Sequence, residues 1–173
     1  MTPNDLSKKY SLGTRIIHWG TAALVLVIFP LGKYMDELGK AEKMNVLPAH
    51  ALLGILVLLL TLIRIYFYFR HKRPESVKTG SNLNDKFAVF VQSSFYYFLI
   101  ILVLTGIGVL FTGGYWEALV NGTTDSLKSH GNIPLLSLHA LLATVVMILL
   151  TVHVIGVFRH FILKKENIFK RIF

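Results

Sequence analysis

The feature of this sequence that most constrains its fold is an apolar stretch, residues 134–160, that carries two histidines. The stretch begins with a proline, which a helix accepts in its first turn, and it is long enough to span a bilayer. His139 and His153 lie fourteen residues apart. In a helix this spacing places both imidazoles on one face, about 40° apart around the axis and roughly 21 Å apart along it. Because unpaired imidazole in hydrocarbon is costly, the pattern predicts two partners at two depths.

Three more apolar blocks predict further membrane spans. In this chain of 173 residues and 54% hydrophobic content, we expect spans at about 15–35, 48–70, 86–111 and 134–160. The predicted fold is an all-α bundle of four transmembrane helices, forming one integral membrane domain over residues 1–173. The first block has no small-residue cleavage site after it, so we expect it to be retained as a span. In the longest loop, residues 115–120 could form a short amphipathic turn at the membrane interface.

The distribution of lysine and arginine predicts the orientation of this bundle. Counting residues at the ends of the spans, the N-terminal lead, the loop after the second span and the C-terminal tail hold 3, 6 and 5 of these residues, whereas the other two connections hold 4. Because cytoplasmic loops are enriched in positive charge, both termini are predicted to be cytoplasmic (N-in/C-in). The net charge of +9 is then a topology signal, so we expect no nucleic-acid partner.

This orientation assigns a depth to each histidine in the spans. His18 follows the start of the first span and is predicted near the inner face, whereas His50 and His139 are predicted near the outer face. His153 is then deep and on the inner side. The expected pairs are His50 with His139 and His18 with His153, each joining two helices at one level.

Paired histidines of this kind favour haem over other metal centres. A zinc site or a carboxylate-rich iron site needs further ligands, and the spans contain no mid-membrane acid and the chain no cysteine. Without cysteine, haem must be bound non-covalently. Two imidazoles and a porphyrin complete six-coordination, which leaves no open site for oxygen chemistry and predicts one-electron transfer. The predicted cofactors are therefore two haem b groups, with iron ligands His18, His50, His139 and His153.

Several short motifs are shared with a known family. They are Tyr-Ser at 10–11, Ile-His-Trp at 17–19, His-Ala-Leu-Leu-Gly at 50–54, Arg64, and the series His139, His153 and His160 that ends in Lys-Lys-Glu-Asn. With these motifs, nearly the whole chain resembles the bacterial cytochrome b561 family. It is also similar to the b-type cytochrome subunits of formate dehydrogenase and nickel-iron hydrogenase. The resemblance implies a four-helix dihaem cytochrome b of the bacterial inner membrane that exchanges electrons with quinone, and it implies the same four histidine ligands.

Three charged or titratable residues are further candidates for binding. Arg64 lies fourteen residues after His50, at the level of the inner pair, where it could bind a haem propionate or, alternatively, snorkel to water from a span end. His160 lies two turns after His153 and, with Arg159, could form a quinone site on the cytoplasmic side. His160 could equally be an interfacial histidine without a role.

Two functions remain open at this stage. The first is a quinone oxidoreductase that moves electrons across the membrane between an outer donor and the quinone pool. The second is a membrane-anchor electron-transfer subunit of a larger dehydrogenase, reductase or hydrogenase complex, which would need a soluble or membrane redox partner. A transporter or structural protein would not need histidines matched in depth. Whether the chain is itself an enzyme is left open by its sequence.

Overall fold

The computed structural model describes residues 5–173 and is built from helices. The helices are α1 (Leu12–Glu37), α2 (Lys40–Arg70), α3 (Asn82–Thr112), α4 (Tyr115–Asn121) and α5 (Pro134–Lys164), with short 3-10 turns at His130–Asn132 and Ile168–Arg171. Within the described residues there is no strand. α1, α2, α3 and α5 are each long and apolar enough to cross a membrane. This confirms the prediction of an all-α protein with four candidate spans.

Helix boundaries follow local capping signals. Ser11 precedes α1, and its hydroxyl oxygen accepts the backbone N–H of Thr14 at 3.3 Å. α2 begins at Lys40, where Glu42 accepts the N–H of Gly39 at 3.3 Å, so Pro48 lies inside this helix and not at its start. The polar turns before Pro48 extend α2 because the charged and polar side chains there can remain in water. α5 begins on its proline, as the sequence predicts.

The helices pack as two pairs joined along one side. α1 packs on α2, α3 packs on α5, and α2 packs on α3. Direct packing brings helix axes to about 8–10 Å. α5 makes no comparably close packing with α1 or α2 in the described part of the chain. α5 therefore faces the other two helices mainly through its side chains.

The connections alternate between the two ends of the bundle. At one end, Lys40 donates to the carbonyl of Leu127 at 3.0 Å, which joins the start of α2 to the loop after α4. At the other end, the N–H of Tyr10 donates to the carbonyl of Arg171 at 3.0 Å, and Arg171 donates to the carbonyl of Glu75 at 2.8 Å. The two terminal segments and the α2–α3 connection thus lie together, as four successive spans require.

The outward faces of the long helices are apolar. Ile55, Leu104 and Ile148 are about half exposed, along with many other large aliphatic side chains of the spans. So much contiguous apolar surface is unusual for a protein surrounded by water. These faces are suited to lipid, which agrees with a multi-pass membrane protein.

Candidate functional site

The first candidate site joins α2 to α5 near the end of the bundle that contains α4. His50 of α2 faces His139 of α5, with 6.3 Å between ring centroids and an interplanar angle of 69°. Both imidazoles are only partly accessible. This is the pair that the sequence predicts for the outer side, and we call it the outer pair.

The second candidate site joins α1 to α5 near the terminal segments. His18 of α1 faces His153 of α5, with ring centroids 6.4 Å apart and an interplanar angle of 65°. Phe95 of α3 contacts the ring of His153 edge-on at 5.8 Å. The structure therefore brings the four predicted ligands together in the two predicted pairs, and we call His18 and His153 the inner pair.

The geometry of both pairs fits a metal ion placed between two imidazoles. Metal–nitrogen bonds of about 2 Å to two imidazoles hold the ring centres roughly 6 Å apart. Nδ1 of His18 and Nδ1 of His50 are buried and have no hydrogen-bond partner among the described residues. Unpaired buried imidazole nitrogens are costly, so these rings are not explained as ordinary core side chains.

The donor set also fits haem. Within the described residues, His, Cys, Asp and Glu side chains form no group of three or more that could hold a metal ion. Two imidazoles leave four of six coordination positions to be filled by another ligand, and a porphyrin supplies four nitrogens in one plane. α5 packs less closely on α1 and α2 than on α3, and both imidazole pairs lie between α5 and these two helices. The residues of both pairs therefore fit haem.

A turn of α3, which has no histidine, contacts His139. Nδ1 of His139 lies 3.0 Å from the carbonyl oxygen of Leu102 and 3.2 Å from the hydroxyl of Thr105. Neither contact is predicted from the sequence, in which this turn is marked only by a threonine in an otherwise apolar part of the third span.

Two glycines make room for the outer pair. A Cβ at position 32 of α1 would lie 3.0 Å from Cε1 of His50, and a Cβ at position 106 of α3 would lie 3.0 Å from Cε1 of His139. Such distances are shorter than van der Waals contact, so each glycine lets a neighbouring helix pack against an imidazole edge. The sequence shows both glycines in the spans, but it does not indicate which helix they face.

Arg64 lies in α2, fourteen residues after His50, and this helical spacing places it about 21 Å further along the axis, near the level of the inner pair. Its guanidinium carbon is 5.5 Å from the centroid of the Tyr96 ring. No carboxylate salt bridge to Arg64 is found within the described residues. Its cationic end is thus available to an anionic group.

The two residues predicted to bind quinone lie in different surroundings. The His160 side chain is 10% exposed, and its Nδ1 lies 3.2 Å from the carboxylate of Glu166. Its Nε2 is buried without a hydrogen-bond partner in the described part of the chain. Arg159 is exposed. His160 is therefore enclosed, whereas within the described residues Arg159 forms no hydrogen bond or salt bridge with it.

The C-terminal segment folds back against α1, next to the inner pair. The indole N–H of Trp19 donates to the carbonyl of Ile172 at 3.1 Å, and Arg15 donates to the carbonyl of Phe173 at 2.6 Å. The Trp19 ring contacts the Phe173 ring at 4.6 Å and the His18 ring at 5.3 Å. The C-terminal segment, which the sequence presents as a basic tail, therefore contacts Trp19, the residue next to His18.

Comparison with known proteins gives matches that cover nearly the whole chain. A family model described as prokaryotic cytochrome b561 matches residues 9–173, a range that contains both histidine pairs. Cytochrome b562 of Cereibacter sphaeroides is 30% identical to this chain over 161 residues, which cover 90% of this chain and 89% of the relative. The similarity therefore extends over the whole bundle and is not limited to one helix.

Proposed function

Because the chain belongs to the prokaryotic cytochrome b561 family, whose members are membrane b-type cytochromes of electron transfer, we propose that it carries two haems and connects an outer electron donor with the quinone pool. The observation that carries this proposal is that two histidines of α5 each face a histidine of another helix, with ring centroids 6.3 Å apart at the outer pair and 6.4 Å apart at the inner pair. When bound, haem supplies a one-electron iron couple. The chain is then a dihaem quinone oxidoreductase.

The ligands of this proposal are two histidines for each iron. His50 and His139 hold one haem, and His18 and His153 hold the other. With two imidazoles on each iron, no position is left for oxygen or another small ligand. The two ligands on α5 are about 21 Å apart along the axis, a large part of the ~30 Å hydrocarbon thickness. Sites at these two depths are suited to electron transfer across the membrane.

The proposed setting is the bacterial inner membrane with both termini in the cytoplasm. The end of the bundle with the terminal segments and the α2–α3 connection carries 14 of the 18 Lys and Arg residues. Positive charge of this kind is enriched on the cytoplasmic side. The inner pair is therefore assigned to the cytoplasmic half, and the outer pair to the other half.

Arg64 is proposed to bind a haem propionate at the inner site. Its guanidinium lies over the Tyr96 ring, and within the described residues it forms no salt bridge with an acid. A guanidinium in apolar surroundings gains most from a hydrogen-bonded anion. A propionate on the inner haem meets that requirement.

The quinone is proposed to bind at the cytoplasmic side, near His160. Its buried Nε2 has no partner among the described residues and can donate to a quinone carbonyl. The Glu166 carboxylate lies 3.2 Å from Nδ1 and can orient the ring. Arg159 is exposed beside it and supplies a second donor at the membrane surface. His160 is thus suited to hold a proton at a quinone oxygen.

The first test of the proposal is haem content. Purified protein is expected to contain two b-type haems per chain in a pyridine haemochrome assay, because each histidine pair provides both axial ligands of one iron. Both haems are expected to be six-coordinate and low-spin in electron paramagnetic resonance spectra. A preparation that is stably folded but contains one haem or none would contradict the dihaem proposal.

The second test concerns the quinone site. His160→Ala is expected to slow haem reduction by added quinol while leaving both haem spectra intact, because the substitution removes the donor but none of the paired ligands. Stopped-flow absorbance measures this rate. His71→Ala is the matched control, because His71 is an exposed histidine just after α2 and is expected to leave the rate unchanged. Equal rates in the wild type and His160→Ala, at full haem occupancy, would remove His160 from the site.

A further inference from the structure

We propose that Thr105, on the one long helix without a paired histidine, is a positioning residue for His139. Together with the carbonyl of Leu102, its hydroxyl fixes the orientation and tautomer of the imidazole and raises the electron density at Nε2. The proposal rests on the proposed function, because it takes His139 as an iron ligand. It adds a role for α3, which neither the histidine pattern nor the family match assigns.

The evidence is a triangle of three polar atoms between α3 and α5. The Thr105 hydroxyl donates to the Leu102 carbonyl at 2.7 Å. Nδ1 of His139 lies 3.0 Å from this carbonyl and 3.2 Å from the hydroxyl oxygen. Thr105 is 8% exposed, so water does not compete freely for these atoms.

The positions of the protons follow from the chemistry of the three groups. A carbonyl oxygen only accepts hydrogen bonds, so the nitrogen of His139 that faces Leu102 must carry the proton. The Thr105 hydroxyl proton is directed to the same carbonyl, which leaves the hydroxyl oxygen as a second acceptor for Nδ1–H. Neutral imidazole with a proton on Nδ1 has its lone pair on Nε2. That nitrogen is the one left for the metal.

Packing against the same turn of α3 also restrains the ring. Gly106 follows Thr105, and a Cβ at position 106 would lie 3.0 Å from Cε1 and 3.3 Å from Nδ1 of His139. One turn of α3 therefore contacts the ring through a carbonyl, a hydroxyl and a glycine. The ring cannot rotate about χ2 without losing its hydrogen bonds or meeting the α3 backbone.

The facing histidine shows that this support is specific to His139. His50 is backed by Gly32, but its Nδ1 is buried and has no hydrogen-bond partner among the described residues. Hydrogen bonding is therefore not a general property of the paired imidazoles in this bundle. At the outer pair, α3 orients His139 through polar contacts, whereas His50 is positioned by packing.

The expected consequence is a change in the electronic properties of the site. Hydrogen-bond acceptors at the non-ligating nitrogen make an imidazole a stronger donor to its metal. A stronger donor favours ferric over ferrous iron. Removing one acceptor is therefore expected to raise the reduction potential of the haem at the outer pair.

The test compares Thr105→Val with Thr105→Ser in the haem-loaded protein. Thr105→Val keeps the shape of the side chain but removes the hydroxyl, and is expected to raise the midpoint potential of one haem while the other stays unchanged. Thr105→Ser keeps the hydroxyl, so both haems of this variant are expected to have their wild-type potentials. Spectroelectrochemical titration measures both potentials, and electron paramagnetic resonance reports the axial ligand field of each haem.

Thr61→Val is the matched control. Thr61 of α2 is 2% exposed, and its hydroxyl donates to the Val57 carbonyl at the same 2.7 Å, but in the described part of the chain it makes no hydrogen bond to an imidazole. If loss of a buried hydroxyl acted only through packing, both valine variants would reduce stability and neither would shift a potential. A shift confined to Thr105→Val supports the positioning role.

Failure of this inference can be told apart from failure of the proposed function. Two haems in Thr105→Val, with potentials and spectra equal to those of the wild type, would overturn the role of Thr105 and leave the dihaem proposal intact. The role of Thr105 would also be overturned, with the dihaem proposal intact, if Thr105→Ser shifted the potential as far as Thr105→Val. A wild-type protein without haem bound by His139 would instead overturn the proposed function.

Discussion

His139→Ala is expected to remove one of the two haems and to leave the other with its native spectrum. The proposed ligands of this iron are His139 of α5 and His50 of α2. Without His139, the single imidazole of His50 is not expected to retain the haem. The inner pair is about 21 Å away along α5 and shares no residue with the outer pair. Haem content measured by pyridine haemochrome assay is therefore expected to fall to about half.

Two controls make this result specific. His153→Ala is expected to give the reciprocal loss, so that the haem lost from one variant is spectrally the haem kept in the other. His71→Ala is expected to keep both haems, because His71 is exposed and contacts Phe67, not another histidine. Unchanged haem content in folded His139→Ala would show that the facing rings of His50 and His139 are a structural contact and not a ligand pair.

The helices and histidine pairs could be predicted because they follow from simple periodic geometry. Blocks of about twenty apolar residues indicate spans, and a spacing of fourteen residues on one helix places two side chains on one face. Alternating topology then gives His18 and His50 their levels. None of these steps requires knowledge of how the helices rotate against each other, so the sequence is sufficient for them.

The supporting contacts could not be predicted in this way. Thr105 acts on His139 through a backbone carbonyl, and a carbonyl is present at every residue, so the sequence does not show which one is used. Gly32 and Gly106 are visible in the sequence, but their role depends on which helix each faces. The start of α2 at Lys40 depends on the Gly39 and Glu42 cap, which lies beyond the apolar block.

The C-terminal segment is the clearest case of a structure that the sequence does not indicate. Arg171 appears in the sequence as one more positive charge in a basic tail, yet it is 4% exposed. It donates to the carbonyls of Lys8 and Glu75 at 3.3 and 2.8 Å, and its guanidinium lies 5.8 Å from the Tyr10 ring centroid. One side chain therefore ties together the N-terminal lead, the α2–α3 connection and the C-terminus.

This arrangement connects Arg171 to the inner pair. The next residue, Ile172, accepts the indole N–H of Trp19 through its carbonyl, and the Trp19 ring lies against His18. His18 lies in the second turn of α1, which begins at Leu12, so the segment that packs on this end of the helix lies close to it. The folded C-terminal segment can therefore restrain His18 through Trp19.

Arg171→Ala is therefore expected to destabilise the protein and to loosen the inner site. Loss of two hydrogen bonds from a charged donor is expected to cost on the order of 2–3 kcal/mol, measured by unfolding in detergent. With both axial positions filled, the reduced wild-type protein is expected not to bind carbon monoxide. In Arg171→Ala, His18 is expected to be held less firmly, so that carbon monoxide binds to the inner haem in a fraction of the molecules. Absorbance difference spectra detect this binding.

Lys170→Ala separates this role from a general effect of charge. Lys170 is in the same 3-10 turn and carries the same charge, but its side chain is exposed, so its removal is expected to leave stability and carbon monoxide binding unchanged. Limited proteolysis should cleave the C-terminal segment earlier in Arg171→Ala than in Lys170→Ala, since only the former loses the contacts to Lys8 and Glu75. Equal stability, proteolysis and carbon monoxide binding in the two variants would show that the segment is held by its apolar contacts, such as Trp19 with Phe173, and that Arg171 does not support the inner pair.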